Sequence, residues 1–411
     1  MEKSATRNVP PTAYILLWFP KPSETFIYNE IKQLRHVGLP ITVYTLYGRI
    51  KKDLSEDMQS ETDQTIRLGW TSIPRLASYF LYQFWKQPRL TFTLLCQVLL
   101  RRPKGAEKTL ENLWAFFCSF YLAYLFNREN ISHIHAPWAS GCATAAWSAS
   151  RLSSIPFSFT MRAWDVHPPD NLIEEKVSEA RFIRSETRYN IDHLIGETNP
   201  YAEKCHVTRN SVPLSTSKET IPTFNTPCQL LAIGRLVGKK GFNHLIDSCA
   251  TLRQMSVPYH LHLIGSGPKL NQLRSHVSQR GLESHITFHG YVPHDQIQTY
   301  YKQADILIMP CVIDSSGDRD GIPTVILEAL ACCVPVITTP VSGIPELIIH
   351  KHNGLLASPG NPEEIAQSVI QLIEDTALRR QIVKNGYRDV MAEFSNQTNI
   401  QKLLTLYQQY Q

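Results

Sequence analysis

At 411 residues, with 43% hydrophobic and 19% charged residues, the chain is too long for one core, and this balance excludes a disordered or fibrous protein. A formal charge of +5 fits a small anionic ligand, an anionic membrane surface or no partner at all. Nine cysteines without CxxC spacing read as reduced thiols, and the N-terminus lacks the apolar core of a secretion signal, so a cytoplasmic protein is expected.

In chain order, residues 14–18, 26–34 and 41–46 predict strand, helix, strand, with Gly38 stopping the helix. Residues 52–128 predict an inserted helical layer with large apolar clusters at 70–85 and 90–100. Its longest uncharged apolar run, 113–126, falls short of the roughly 20 residues that cross a bilayer. Trp114, Phe117 and Phe120 in that run fit a core helix, the favoured reading, or a helix resting on a membrane surface.

The βα alternation resumes with strands at 131–135, 157–160, 182–185 and 206–210 and an Ala-rich helix at 141–152. The Ser, Thr and Pro rich stretch 213–227 predicts a linker, which divides the chain into domains 1–215 and 216–395, with a last helix 396–411 packing back toward the first. Beyond the linker, strands at 230–233, 260–264, 286–288, 306–309 and 336–338 alternate with helices beginning near Phe242, Leu270, Asp295, Pro323 and Glu363. The expected fold is α/β, two doubly wound parallel sheets with a cleft between them and chemistry in the loops beyond the carboxyl ends of the strands.

The first such loop, GRLVGKKGF at 234–242, carries Arg235, Lys239 and Lys240 into a helix. Glycines, a helix start and cations together suit a diphosphate; a solvated basic turn is the competing reading. GSGP at 265–268 reads as a backbone turn rather than a ligand loop. After the next strand, Gly290 followed by Tyr291 and Val292 suits shelter for a nucleotide base, with core packing of Tyr291 as the alternative.

DRDGIPTVILEALA at 318–331 is the most informative stretch. Pro323 fits the first turn of a helix whose start directs the amides of Gly321, Ile322 and Thr324 toward an anion or sugar oxygen. Asp320 before that helix and Glu328 within it stand eight positions apart and can contact separate hydroxyls of one extended ligand. A buried pair of Glu328 with Arg or Lys is the other reading. Asp318 and Asp320 also fit a DxD metal pattern, which is discounted because cations in the first loop already neutralise phosphate. His133 with His135, and His260 with His262, lack a surrounding ligand cluster and read as core or loop histidines.

With HLIGSGP, ITFHGYVP, ADILIMP, PVITTPVSGIPEL and NGLLASPGNPEEIA added, the second half resembles the C-terminal domain of family-four retaining glycosyltransferases of GT-B architecture. FPKPSETFIYNEI, HIHAPWAS and FSFTMRAWDVH are similar, more loosely, to the exopolysaccharide and lipopolysaccharide branch typified by colanic acid glycosyltransferases. The resemblance implies metal-independent, cofactor-free hexosyl transfer with retention, from a UDP- or GDP-sugar to a polysaccharide or lipid-linked acceptor, possible peripheral contact with an anionic inner membrane face, and no nucleic acid partner. It implies that Asp320 lies against the transferred sugar, that Glu328 holds the ribose, and that Arg235 and Lys240 bind the diphosphate, with Gly321, Ile322, Thr324, Tyr291 and Val292 around the donor. Arg162 and Asp165 then orient the sugar from the N-terminal side, and Glu24 with Thr25 meets the acceptor. Asp320 and Arg162 stand where relatives carry Glu and His, and Asn210-Ser211 replaces an Asn-Gly turn. An epimerase of the same architecture and a weakened scaffold homologue are the alternatives.

Overall fold

Short runs of β-branched and aromatic residues, buried on both faces, form strands that pair in two all-parallel sheets. The computed structural model describes residues 11–22, 24–50, 54, 56–101, 106–166, 169, 171–196, 200–210 and 223–410. One unit holds the chain up to Thr208 together with the residues from Ile400 onward, and the second holds Arg209–Asn399. The expected linker lies mostly outside the described residues, as does the expected boundary at 215–216.

In the first unit, β1 (Thr12–Leu16), β2 (Ile41–Thr45), β3 (Thr65–Arg67), β4 (His133–Ala136), β5 (Phe157–Met161), β6 (Ile183–Ser185) and β7 (Cys205–Val207) lie in the order β3-β2-β1-β4-β5-β6-β7. Thr12 is in register with Ile41 on one side of β1 and with His133 on the other. In the second unit, β8 (Cys228–Ile233), β9 (Tyr259–Ile264), β10 (Ile286–Gly290), β11 (Ile306–Met309), β12 (Val336–Thr338) and β13 (Leu355–Leu356) lie in the order β10-β9-β8-β11-β12-β13. Each sheet reverses its winding at its first strand. That leaves a crevice beyond the carboxyl ends of β1 and β4 in one unit and of β8 and β11 in the other.

The helical layer consists mainly of Ile73–Lys86, Pro88–Leu100 and Ala106–Arg128, the first two carrying proline in their opening turns. Ala106–Arg128 lies on Gly141–Ser153, whose buried Ala143, Ala145, Ala146 and Ala149 leave room for close approach. The core reading of 113–126 therefore holds: Phe116, Phe120 and Phe126 are fully buried, and Trp114 donates its Nε1 proton to the Leu46 carbonyl at 2.9 Å. Only Phe117 and Tyr124 of that run reach solvent appreciably. No helix among the described residues is long and apolar enough to cross a membrane.

The helix Asn396–Gln409 ends on the first sheet, where the Tyr407 hydroxyl meets that of Tyr14 at 2.8 Å and its ring abuts His133, His135 and Phe182. The two histidines share the Ser158 hydroxyl at 2.7 and 2.8 Å, and burial holds His133 down near 3, so both are neutral core groups. His260 and His262 are partly buried and bond Thr287, Gln229 and His289. None of the nine cysteines is in a disulfide.

Candidate functional site

Beyond β8 the loop 234–241 is packed backbone to backbone against its neighbours. Gly241 has φ +67°, and a Cβ there would lie 1.9 Å from the Pro310 carbonyl oxygen after β11. Gly265 has φ +141°, and a Cβ there would lie 1.9 Å from the Gly234 carbonyl oxygen. GSGP is thus a backbone turn whose glycines let the first loop close down.

That closure brings the chemistry together. Lys239 Nζ lies 3.1 Å from Asp318 and 3.5 Å from Asp320, while Lys240 Nζ lies 2.8 Å from Asp320. Burial alone would raise the Asp320 carboxyl, but the Lys240 and Lys239 ammonium groups outweigh it and hold it below the usual aspartate range. Lys240 is likewise held above its ordinary value, against burial, chiefly by Asp320. Lys240 and Asp320 are therefore charged at neutral pH. Asp318 and Asp320 spend their charge on lysines, and among the described residues no three His, Cys, Asp or Glu side chains gather as metal ligands. Lys239, which the family pattern does not single out, is the more deeply buried lysine.

The helix Thr324–Ala331 begins with no side-chain cap, and Gly321 and Ile322 lead directly into it from Asp320. One turn in, Glu328 accepts a hydrogen bond from the Tyr301 hydroxyl at 2.8 Å, so the partner is a phenol rather than the Arg or Lys of the alternative reading. Burial pushes the Glu328 carboxyl up, with His294 and Tyr301 opposing. Tyr301 lay outside the expected site; its position in the helix before β11 carries no motif. Arg235 is exposed. Tyr291 is 45% exposed, which overturns its core reading, whereas Val292 packs on the core of this unit.

In the first unit, Glu24 and Thr25 lie beyond β1, where Thr25 opens the helix Thr25–His36. Glu24 pairs with Lys21 at 2.6 Å and accepts from the Trp138 indole at 3.4 Å, linking the loops after β1 and β4. Arg162 and Asp165 are interior groups, a correction to the expectation that they reach a sugar. Arg162 is 3% exposed, donates from Nε to the Pro137 carbonyl at 3.0 Å, pairs with Glu186, and has the Phe26 ring centroid 4.4 Å from its guanidinium. Burial, then Arg184, draws Arg162 down to about 10. Asp165 accepts the amides of Ala139 at 2.9 Å and Ser140 at 3.2 Å, and burial lifts it to about 6. The Lys176 ammonium donates to the carbonyls of the same two residues. These charges therefore hold the loop 137–140 in shape. Their identity was legible in the sequence, but their inward direction was not.

A run of aromatic rings also lines the carboxyl ends of β1 to β3. Trp18 stacks on Tyr47 at 4.5 Å, Tyr47 on Trp114 at 6.0 Å, and Trp114 lies 5.0 Å from Trp70. The available signal was an aromatic two or three residues after each strand.

Residues 216–389 match the family model of glycosyl transferases group 1. The second unit belongs to that family. Over 195 residues the chain is 32% identical to the amylovoran biosynthesis glycosyltransferase AmsK of Erwinia amylovora, covering 47% of this chain and 48% of that protein. Over 208 residues it is 30% identical to the putative colanic acid biosynthesis glycosyltransferase WcaL of Escherichia coli (strain K12), covering 50% and 51%. The chain spans about half the length of the curated relatives it matches. The crystal structure of Anabaena Alr3699/HepE in complex with UDP and glucose superposes with a TM-score of 0.69 at 16% identity, over 97% of this chain and 100% of that one. The fold of the chain is GT-B, two parallel sheets with helices.

Proposed function

We propose that the protein is a retaining glycosyltransferase that moves a hexosyl group from a nucleotide diphosphate sugar to a polysaccharide or lipid-linked sugar acceptor. The observation that carries this reading is the Lys239, Lys240 and Asp320 cluster beside the uncapped start of Thr324–Ala331. It offers positive charge and amides to a departing diphosphate and a carboxylate to the sugar, all on one side of a topological switch point.

In this mechanism the bond between the anomeric carbon and the diphosphate breaks as charge accumulates on the leaving oxygen, which Lys240 and Arg235 neutralise. The acceptor hydroxyl attacks from the face the diphosphate leaves, which retains configuration, and its proton passes to the departing phosphate. Asp320 holds the transferred sugar and Glu328 the ribose hydroxyls. The lysine and arginine charges take the place of a metal on the phosphates. On the acceptor side, Glu24 and Thr25 meet hydroxyl groups. Arg162 and Asp165 act as positioning residues through the loop 137–140. The relatives in amylovoran and colanic acid biosynthesis support an exopolysaccharide product.

The test is a thermal-shift panel of UDP, GDP and their sugars, followed by product analysis. A true donor at a hundredfold excess over its Kd adds about 2.7 kcal/mol to apparent stability. No response to any nucleotide would defeat the assignment, and free rearranged sugar without an acceptor would reveal an epimerase. The ribose role of Glu328 has its own check. Tyr301→Phe removes the donor to that carboxylate, and a bond to a charged group is worth about 1.5–3 kcal/mol. Calorimetric titration with the stabilising nucleotide is expected to show Kd rising about tenfold; unchanged affinity would remove Glu328 from the ribose.

A further inference from the structure

From Gln64 to Ala106 the sequence contains seven cations, Arg67, Arg75, Lys86, Arg89, Arg101, Arg102 and Lys104, and no Asp or Glu. This stretch includes the helices Ile73–Lys86 and Pro88–Leu100. Ile73–Lys86 turns Leu76, Tyr79, Phe80 and Gln83 inward; Phe80 lies 5.0 Å from Phe120 and Tyr79 lies 4.4 Å from Tyr124. Its opposite face should be polar in a helix that meets only water. Instead Ile73, Ala77, Leu81 and Phe84 repeat at helical spacing on the exposed side, with Tyr82 and Trp85 next to them. Trp85 is 85% exposed, Leu100 83% and Trp70 70%. Most of the large apolar side chains exposed among the described residues fall between Trp70 and Tyr124, so they concentrate in the helical layer rather than scatter along the chain.

We infer that this face docks on an anionic lipid bilayer. Arg75 and Lys86, eleven residues apart, lie on one side of the helix along the margin of the apolar stripe, and Arg89 opens the next helix; all three are exposed. Aromatic and aliphatic side chains entering the interface with flanking cations at headgroup level are what such a surface selects. A second copy of the chain fits less well, because a twofold contact through this face sets cations against cations with no acid in the segment to offset them. The surface is not the 113–126 run of the alternative sequence reading: Trp114 and Phe120 are engaged in the core, and the preceding helices carry the exposed side chains.

The purified full chain is to be floated with vesicles of phosphatidylcholine alone and of phosphatidylcholine with about a third phosphatidylglycerol. Each exposed cation near a charged membrane is worth about fivefold in partitioning, so binding at least tenfold stronger to the anionic vesicles, weakening with salt, is expected. Two variants separate the components: Leu81→Ser with Trp85→Ser, and Arg75→Glu with Lys86→Glu and Arg89→Glu. Each is expected to lower anionic binding about tenfold or more while melting temperature and nucleotide response stay unchanged, since the altered side chains are exposed. Equal affinity for both vesicle types, or binding unaffected by either variant, overturns the inference. So does a stable dimer in sedimentation that the Leu81 and Trp85 substitutions dissolve. Because vesicle binding needs no nucleotide, failure here is distinguishable from failure of the donor site.

Discussion

Lys240→Met is expected to cut the rate of sugar transfer at saturating donor by about a hundredfold to a thousandfold. That is the range for removing one preorganised group aimed at developing charge. The fold should survive the change, because Lys239 remains 3.1 Å from Asp318 and 3.5 Å from Asp320 and continues to compensate both carboxylates. Steady-state kinetics separates the effects: a fall in kcat with an intact thermal transition belongs to the leaving group, whereas a fall in melting temperature alone belongs to the ion cluster. A kcat within about threefold of the parent would remove Lys240 from the mechanism. Asp320 sets the sign of the pH dependence. Its folded-state carboxyl is depressed, so its contribution to stability is present above the ordinary aspartate range and is lost as pH falls through the lowered value.

The second large effect is on stability. Glu30 accepts from Arg184 and stands 3.9 Å from Arg162, and all three side chains are buried in the first unit. Glu30→Gln keeps the shape but leaves the Arg184 guanidinium without its carboxylate, and breaking a buried pair from one side costs about 3–5 kcal/mol. For a unit of this size each kcal/mol is worth about 2–4 °C, so the first unit's transition is expected to drop by about 6–20 °C in differential scanning calorimetry. A shift under about 2 °C would mean that Glu186 and water already satisfy the arginines. Because Arg162 also holds the Pro137 carbonyl, the loop 137–140 should loosen with it, an effect visible as faster amide exchange at Ala139 and Ser140.

The legible part of this protein was local. Alternating apolar strands and helix starts such as Phe242 and Leu270 follow from periodicity and glycine stops within a few residues, so both sheets could be read directly. The three-residue β3 and the two-residue β13 could not, because their hydrogen bonds come from a neighbouring edge rather than from their own pattern. The donor-side loops were equally plain, since a cation doublet after one strand and a carboxylate before a helix are sequence facts.

By itself, then, the sequence determined the two parallel α/β sheets and the loops in which Lys240, Asp320 and Glu328 stand. Tertiary structure decided what those residues and their neighbours face: Lys239 turned onto Asp318, Tyr301 supplied to Glu328, Arg162 and Asp165 drawn inward to hold a loop, and Trp85 left exposed while Phe120 is enclosed. The physical reason is common to all four. A side chain's direction depends on the element that packs against it, and a helix apolar on several sides, or a charge with several possible partners, carries no local mark of which contact is made.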